Sequence, residues 1–310
     1  MSTAFVFPGQ GAQSIGMGKA LADTYPAAKA VFDEVDDALG EKLSTLIWEG
    51  EQDALTLTQN AQPALMATSL AAMRALEAEG VSIEDASFVA GHSLGEYSAL
   101  AAAGALTISD AARLLRTRGE AMQKADPVGI GAMAALLGLD FETAQSVAAE
   151  AAEGEVCQAA NDNDPGQVVV SGHVDAVNRA IVLAKEKGAK RAVLLPVSAP
   201  FHCALMEPAA EVMANALGDV DIERPKVPVV ANVLADAVTD PVLIRSLLVQ
   251  QVTGSVRWRE SVLWMAEQGV SDMWEIGAGK ALSGMVRRID RSIACKAVGT
   301  PDDVKAVTAN

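Results

Sequence analysis

Residues 89–104 read VAGHSLGEYSALAAAG, and few local patterns leave a chain so little freedom. The apolar run Ser87-Phe88-Val89-Ala90 enters Gly91. His92, Ser93, Leu94 and Gly95 follow, and a helical pattern then runs to Gly104. A strand, a G-x-S-x-G turn and a helix make a nucleophile elbow, in which a sharp turn lifts the serine clear of a sheet. The helix behind Ser93 leaves unpaired N–H groups in its first turn for an oxyanion. Outside such a context the same five residues are an ordinary glycine-rich turn. Hydrolases and acyl transferases share this device, so the elbow predicts an activated Ser93 and leaves open what it carries.

An elbow needs a sheet, and the rest of the chain supplies one. Ala4-Phe5-Val6-Phe7 reads as a first strand, closed by Pro8-Gly9-Gln10-Gly11. Gln62-Pro63 opens a helical pattern that stops at Gly80, with the proline suited to a first turn and the glycine to a left-handed stop. Ser109-Asp110 reads as the cap of a helix reaching about Lys124. From 131 the rhythm changes. Strands at 131–137, 156–161, 167–171 and 191–197 and helices at 140–152 and 174–187 give the order β-α-β-β-α-β, the split pattern of ferredoxin-like domains. Residues 130–198 are therefore expected to be an inserted domain. The large domain is then discontinuous, 1–129 and 199–310. Beyond the insert, strands at 226–233, 272–276 and 293–298 alternate with helices at 240–252, 258–268 and 280–289. That alternation predicts an α/β fold with a mostly parallel sheet covered on both faces.

A nucleophilic serine needs a base within hydrogen-bond reach, and the chain has three histidines. His92 adjoins Ser93, but neighbouring side chains diverge at a sharp turn, so it reads as a packing residue. His173, after Ser171-Gly172, reads as an exposed helix start. His202 lies in Ser198-Ala199-Pro200-Phe201-His202-Cys203, a loop where the chain re-enters the large domain. Such a junction lines a cleft, so His202 is the expected base and Cys203 a small packed residue. Arg118 is the second anomaly. On the helix from 110 to 124 it falls in the apolar stripe of Ala111, Leu114, Leu115 and Met122, while Arg113 and Arg116 point elsewhere. A buried guanidinium needs an anion. Spacing alone leaves the structural and functional readings even: a pair with an Asp or Glu or a side chain that snorkels past the core, against a clamp for a substrate carboxylate. Gly9-Gln10-Gly11, at a strand end, is an ordinary turn or a source of a second oxyanion donor.

Composition removes other classes. The net charge of −16 argues against nucleic acid and against an anionic membrane surface. Three cysteines, Cys157, Cys203 and Cys295, are too few and too odd for a disulfide framework. There is no signal-like N-terminal segment and no run of about 18 apolar residues. A cytoplasmic protein is expected. No phosphate loop, dinucleotide fingerprint or metal-ligand cluster is visible, so neither cofactor nor metal is expected.

Taken together, several stretches resemble the malonyl-CoA:acyl carrier protein transacylase family. They are FVFPGQGAQSIGMG near the start, QPAL at 62–65, GHSLGEYSAL at 91–100, RTRGEAMQ at 116–123, NDNDPGQVVVSG at 161–172, PVSAPFHCALM at 196–206 and EIGAGKAL at 275–282. They run in order over nearly the whole chain. The resemblance implies an α/β-hydrolase-like large domain with a ferredoxin-like insert. It implies malonyl transfer from malonyl-CoA to the pantetheine thiol of acyl carrier protein, through a malonyl-serine, by a monomer. It makes Ser93 the nucleophile, His202 the base, the N–H groups of Gln10 and Leu94 the oxyanion hole, and Arg118 the carboxylate clamp. Gln251, with Gln250 beside it as the alternative register, falls where the family orients the histidine by a main-chain carbonyl. Gln62, Phe201 and Asn161 join the substrate-binding set, Phe201 in the form of malonyl-selective relatives. The carrier protein is acidic and so is this chain, so docking needs local positive charge: Lys190, Arg191, Arg287, Arg288 and Arg291 are the candidates. A serine thioesterase, or an acyltransferase serving a polyketide synthase or malonate decarboxylase, is the alternative.

Overall fold

Apolar side chains on both faces of a short strand demand cover on both sides, and Ala4, Phe5, Val6 and Phe7 are all at most 1% exposed. The structure, a computed structural model, describes residues 2–127, 129–197 and 199–309. Among the described residues there are ten strands: β1 Ser2–Phe7, β2 Phe88–Gly91, β3 Gly131–Leu137, β4 Cys157–Asp164, β5 Gln167–His173, β6 Arg191–Leu194, β7 Val229–Ala231, β8 Asp236–Val238, β9 Val270–Ile276 and β10 Ala294–Val298. They form two sheets, β10-β9-β1-β2-β7-β8 and β4-β5-β3-β6.

In the larger sheet β10, β9, β1, β2 and β7 run parallel, and the edge strand β8 pairs antiparallel with β7. The period of two divides its residues cleanly. Phe5, Phe7 and Val89 enter one core, against the helices Pro26–Leu39, Thr58–Ala78 and Ile108–Ala125. Ala4, Val6 and Ala90 enter the other, with Trp258, Val262 and Val286. No helix among the described residues is long and apolar enough to cross a membrane.

Several boundaries differ from the sequence expectation. The helix expected to open at Gln62-Pro63 begins at Thr58, with Pro63 inside it. Burial on almost every side, through Ala61, Leu65, Met66, Leu70 and Met73, outweighs the backbone bond that the proline removes. The cap of the helix Ile108–Ala125 is Thr107, whose hydroxyl accepts from Asp110 N–H at 3.0 Å. Ser109 donates to Glu34 instead. The strand expected at 226–233 pairs only over β7, because Glu223 and Lys226 donate their N–H groups to the Ala105 and Ala103 carbonyls. That expected at 191–197 stops as β6 at Leu194. Ser198, the expected end of the insert, lies outside the described residues. The helices between 19 and 56, and Glu207–Gly218 and Pro301–Thr308, were not anticipated.

The smaller sheet is antiparallel throughout. The helices Phe141–Ala152 and Val174–Glu186 cover one face, where Ala134, Leu136, Val168 and Val170 form a separate core. The opposite face presents Met133, Ala135 and Val169 to a cleft against the large sheet. Strand β4 is stitched across that cleft. Val256 N–H donates to the Ala160 carbonyl at 2.8 Å, and Asp162 N–H to the Val256 carbonyl at 2.9 Å. Arg259 grips both carboxylate oxygens of the fully buried Asp162, and Arg288 holds Asp164 at 2.8 Å.

Burial raises the Asp162 carboxyl above its ordinary range, and Arg259 opposes that shift. Arg259→Ala is expected to cost about 3 kcal/mol, the low end for breaking a buried pair, because Arg259 keeps contact with solvent. Without the arginine the carboxyl rises further, so the folded variant holds a proton that the unfolded chain releases. The deficit therefore grows as pH rises through the folded value and shrinks in acid. Urea unfolding of both proteins at several pH values measures it.

Candidate active site

The turn between β2 and the helix Gly95–Ala102 is so tight that its glycines are obligatory. An added Cβ on Gly91 would sit 1.9 Å from the Gly95 carbonyl carbon, and one on Gly95 would sit 2.3 Å from the Phe7 carbonyl oxygen. Ser93 itself is left-handed, with φ of 53°, a strained conformation for a residue carrying a Cβ. Strand β1 ends beside it, where His92 N–H donates to the Phe7 carbonyl at 3.1 Å.

His202 also has a positive φ, 59°. The irregular backbone swings its ring back to Ser93, with Oγ and Nε2 at 2.8 Å. Its Nδ1 lies 2.9 Å from the Gln251 main-chain carbonyl. A carbonyl only accepts, so Nδ1 carries the proton and Nε2 presents its lone pair to the serine. Burial, aided by the Arg118 charge, brings the imidazole down to about 3, so it is a neutral acceptor at physiological pH. At VQQ it is the Gln251 carbonyl, and not that of Gln250, that lies beside His202. Gln250 donates to Ser246 at the surface, and Gln251 is fully buried.

Arg118 is 1% exposed. Its Nη1 donates to Gln62 Oε1 at 2.7 Å, and its Nη2 donates to Gln251 Oε1 at 2.9 Å and to Ser93 Oγ at 3.1 Å. Its Nε is buried with no partner among the described residues, and its guanidinium stands 5.7 Å from the Tyr97 ring centroid. Burial lowers the guanidinium's affinity for its proton, yet among the described residues no carboxylate touches it directly. A guanidinium with several donors, beside a serine hydroxyl and without a direct anionic partner among the described residues, has the chemistry that binds carboxylates.

Ser93, His202, Arg118, Gln62, Phe201 and Asn161 line one cavity of about 460 Å³, together with Gln10 and Leu94. The N–H groups of Gln10 and Leu94 have no partner among the described residues. Gln10 is oriented by Thr58, whose hydroxyl donates to its Oε1 at 2.9 Å. His92 also faces the cavity, but its Nε2 donates to Asn163 Oδ1 at 2.8 Å across the cleft. His173 accepts from Val156 N–H on the small sheet, away from the serine. The Cys203 thiol turns to the Pro200 carbonyl, and burial raises its pKa. All five candidate docking cations, Lys190, Arg191, Arg287, Arg288 and Arg291, are exposed, and Arg288 is also paired with Asp164. Among the described residues no three His, Cys, Asp or Glu side chains are grouped to hold a metal ion.

Two residues escaped the sequence reading. Glu96 is a buried carboxylate in the helix behind Ser93; its signal was a lone charge in the otherwise uncharged GEYSALAA. Asn232, whose Oδ1 accepts from Ser93 N–H at 2.8 Å, carries no such signal.

Ser93 and a carbonyl-held His202 thus meet in one cavity beside the N–H groups of Gln10 and Leu94, and the acyl transferase domain family model matches residues 4–299. A malonyl CoA-acyl carrier protein transacylase of Bacillus subtilis is 49% identical over 97% of this chain and 95% of its own length. The crystal structure of the acyl-carrier-protein S-malonyltransferase of Bartonella henselae superposes with a TM-score of 0.97 at 56% identity, covering 99% of this chain and 98% of that one. A type II polyketide synthase acyl-carrier protein in complex with its malonyl-transacylase contains a similar chain, with a TM-score of 0.96 and 42% identity over the full length of both. This chain belongs to the malonyl CoA-acyl carrier protein transacylase family.

The geometry predicts that a fluorophosphonate probe labels Ser93. His202→Ala should slow labelling by about 10²- to 10⁴-fold, the range for losing a general base. Ser93→Ala should abolish it, as read by intact mass.

Proposed function

We propose that the chain moves a malonyl group from malonyl-CoA to the pantetheine thiol of acyl carrier protein, for fatty acid synthesis. The observation that carries this reading is Arg118, fully buried and 3.1 Å from the nucleophile. A malonyl thioester carries its carboxylate one methylene beyond the reacting carbonyl, close enough for one site to hold both. In the proposed mechanism Ser93 Oγ attacks the thioester carbonyl and its proton passes to His202 Nε2. The oxyanion takes hydrogen bonds from the Gln10 and Leu94 N–H groups; losing one such donor costs about 3 kcal/mol. Collapse expels the CoA thiolate, which His202 protonates, and the malonyl-serine ester remains. The carrier protein's thiol then attacks with His202 as base, and the same steps run in reverse. In this reading the Gln251 carbonyl takes the part that an Asp plays in hydrolase triads, and Gln62, Asn161 and Phe201 complete the acyl pocket.

Residues 130–198 are read as a ferredoxin-like domain inserted in an α/β-hydrolase-like one, 1–129 and 199–310. Separate hydrophobic cores support that division. The docking surface is read at one end of the small sheet, where Arg191 stands opposite Leu137 and Leu137 opposite Gln167, a cleft residue. Lys190 and Arg191 supply positive charge there, with Arg287 and Arg291 on the neighbouring helix and turn. A cytoplasmic location remains the reading from the free thiols.

Incubation with malonyl-CoA alone is expected to leave a malonyl adduct on Ser93, seen by intact mass and absent from Ser93→Ala. Rapid CoA release without an adduct would favour a hydrolase and overturn the reading. Arg118→Ala should erase a preference for malonyl- over acetyl-CoA of about 10⁴, the scale for a site built around a buried polar partner.

A further inference from the structure

Glu96 is 2% exposed in the turn that carries the nucleophile, and the transfer chemistry does not use it. Its Oε2 accepts from Gln251 Nε2–H at 2.7 Å and from Asn232 N–H at 3.1 Å. Gln251 therefore stands between opposite charges, with its amide nitrogen on Glu96 and its amide oxygen on Arg118. A flipped amide would set donor against guanidinium and acceptor against carboxylate, so the two charges permit one orientation. The same residue's main-chain carbonyl holds His202, and its Nε2–H also reaches the Ser93 carbonyl at 3.0 Å. Asn232, the carboxylate's other partner, donates to the Gly91 carbonyl at 2.7 Å and accepts from Ser93 N–H.

We propose that Glu96 is a positioning residue for acyl transfer: its carboxylate fixes the Gln251 amide and, through Gln251 and Asn232, holds Arg118, His202 and Ser93 in register. This rests on the malonyl-transfer reading above. When ionised, the buried Glu96 is a counter-charge for Arg118 at one residue's remove, leaving the guanidinium's remaining donors to the substrate carboxylate.

The proposal has a pH signature. The titratable groups facing Glu96 are Arg118, from the helix Ile108–Ala125, and Tyr97, next in its own helix; Asn232 and Gln251 fill the other sides and do not ionise. Burial pushes the Glu96 carboxyl up to about 7, whereas His202 lies at about 3. The anion, and with it the charge-assisted network, is lost as pH falls through neutrality. His202 is still a neutral base there, so a fall in acylation near neutral pH belongs to Glu96.

The experiment is rapid-quench acylation by malonyl-CoA, from below to above neutrality, for wild type, Glu96→Gln and Glu96→Asp. Glu96→Gln keeps the shape and loses the charge. It should react about tenfold to a hundredfold slower at alkaline pH, the range for one charge-assisted bond, and lose the limb near neutrality. Glu96→Asp should retain that limb. A Glu96→Gln variant that acylates at the wild-type rate overturns the proposal, as does one that is slower with the limb unchanged. Infrared difference spectra of the wild-type protein test it without any variant: a protonated carboxyl band must disappear in parallel with the rise in acylation, and its absence refutes the role. A wild-type protein that malonyl-CoA fails to acylate at every pH would sink the transfer reading itself.

Discussion

A guanidinium taken fully out of water is the costliest group this chain folds around, since an isolated buried charge loses several kcal/mol of hydration after all relaxation. Much of the site reads as the answer to that cost. Gln62 and Gln251 turn their amide oxygens to Arg118, the Tyr97 ring lies nearby, and Glu96 sits behind Gln251. Each of these is itself nearly inaccessible to solvent. Gln251 is the common member: its side chain meets both Arg118 and the Ser93 carbonyl, and its main-chain carbonyl meets His202, so solvating the arginine and aligning the serine and histidine converge on one residue.

The cleft is the second shared solution. Its floor is the end of the parallel sheet, and its roof is the uncovered face of the antiparallel one, with Met133, Ala135 and Val169. Neither sheet could leave such a surface bare in isolation. The roof is held by β4, through main-chain bonds to Val256, through Arg259 and Arg288, and through His92 to Asn163. His92, next to Ser93 in sequence, thus ties the elbow to the roof, a task for which facing away from Ser93 is the requirement.

What the sequence disclosed follows from how local its causes are. The elbow, the first strand and the elements of the insert rest on periods of two and 3.6 and on glycine stops, and their structure lies within a few residues of that reading. Arg118 was legible because helical phase fixes its direction, although phase could not say whether an anion of the protein met it. Pro63 misled, because burial from distant segments overrode a local rule. The helix Pro26–Leu39 carries readable marks in the sequence, Pro26 at a first turn and Gly40 at a left-handed stop. Asn232 and the choice between Gln250 and Gln251 depend on which segments meet in space, and no local pattern encodes that.

Ser93 and His202 share an uncomfortable backbone, both left-handed despite their Cβ atoms. Conformations of this kind cost of order 1–3 kcal/mol each and persist where surrounding structure enforces them. A glycine at either position would relax the chain and, in the same stroke, remove a side chain on which the proposed transfer depends. Selection for heat resistance alone would therefore drift towards well-folded, inert descendants, and a breeding scheme for a hardier version of this protein would have to score turnover at every round.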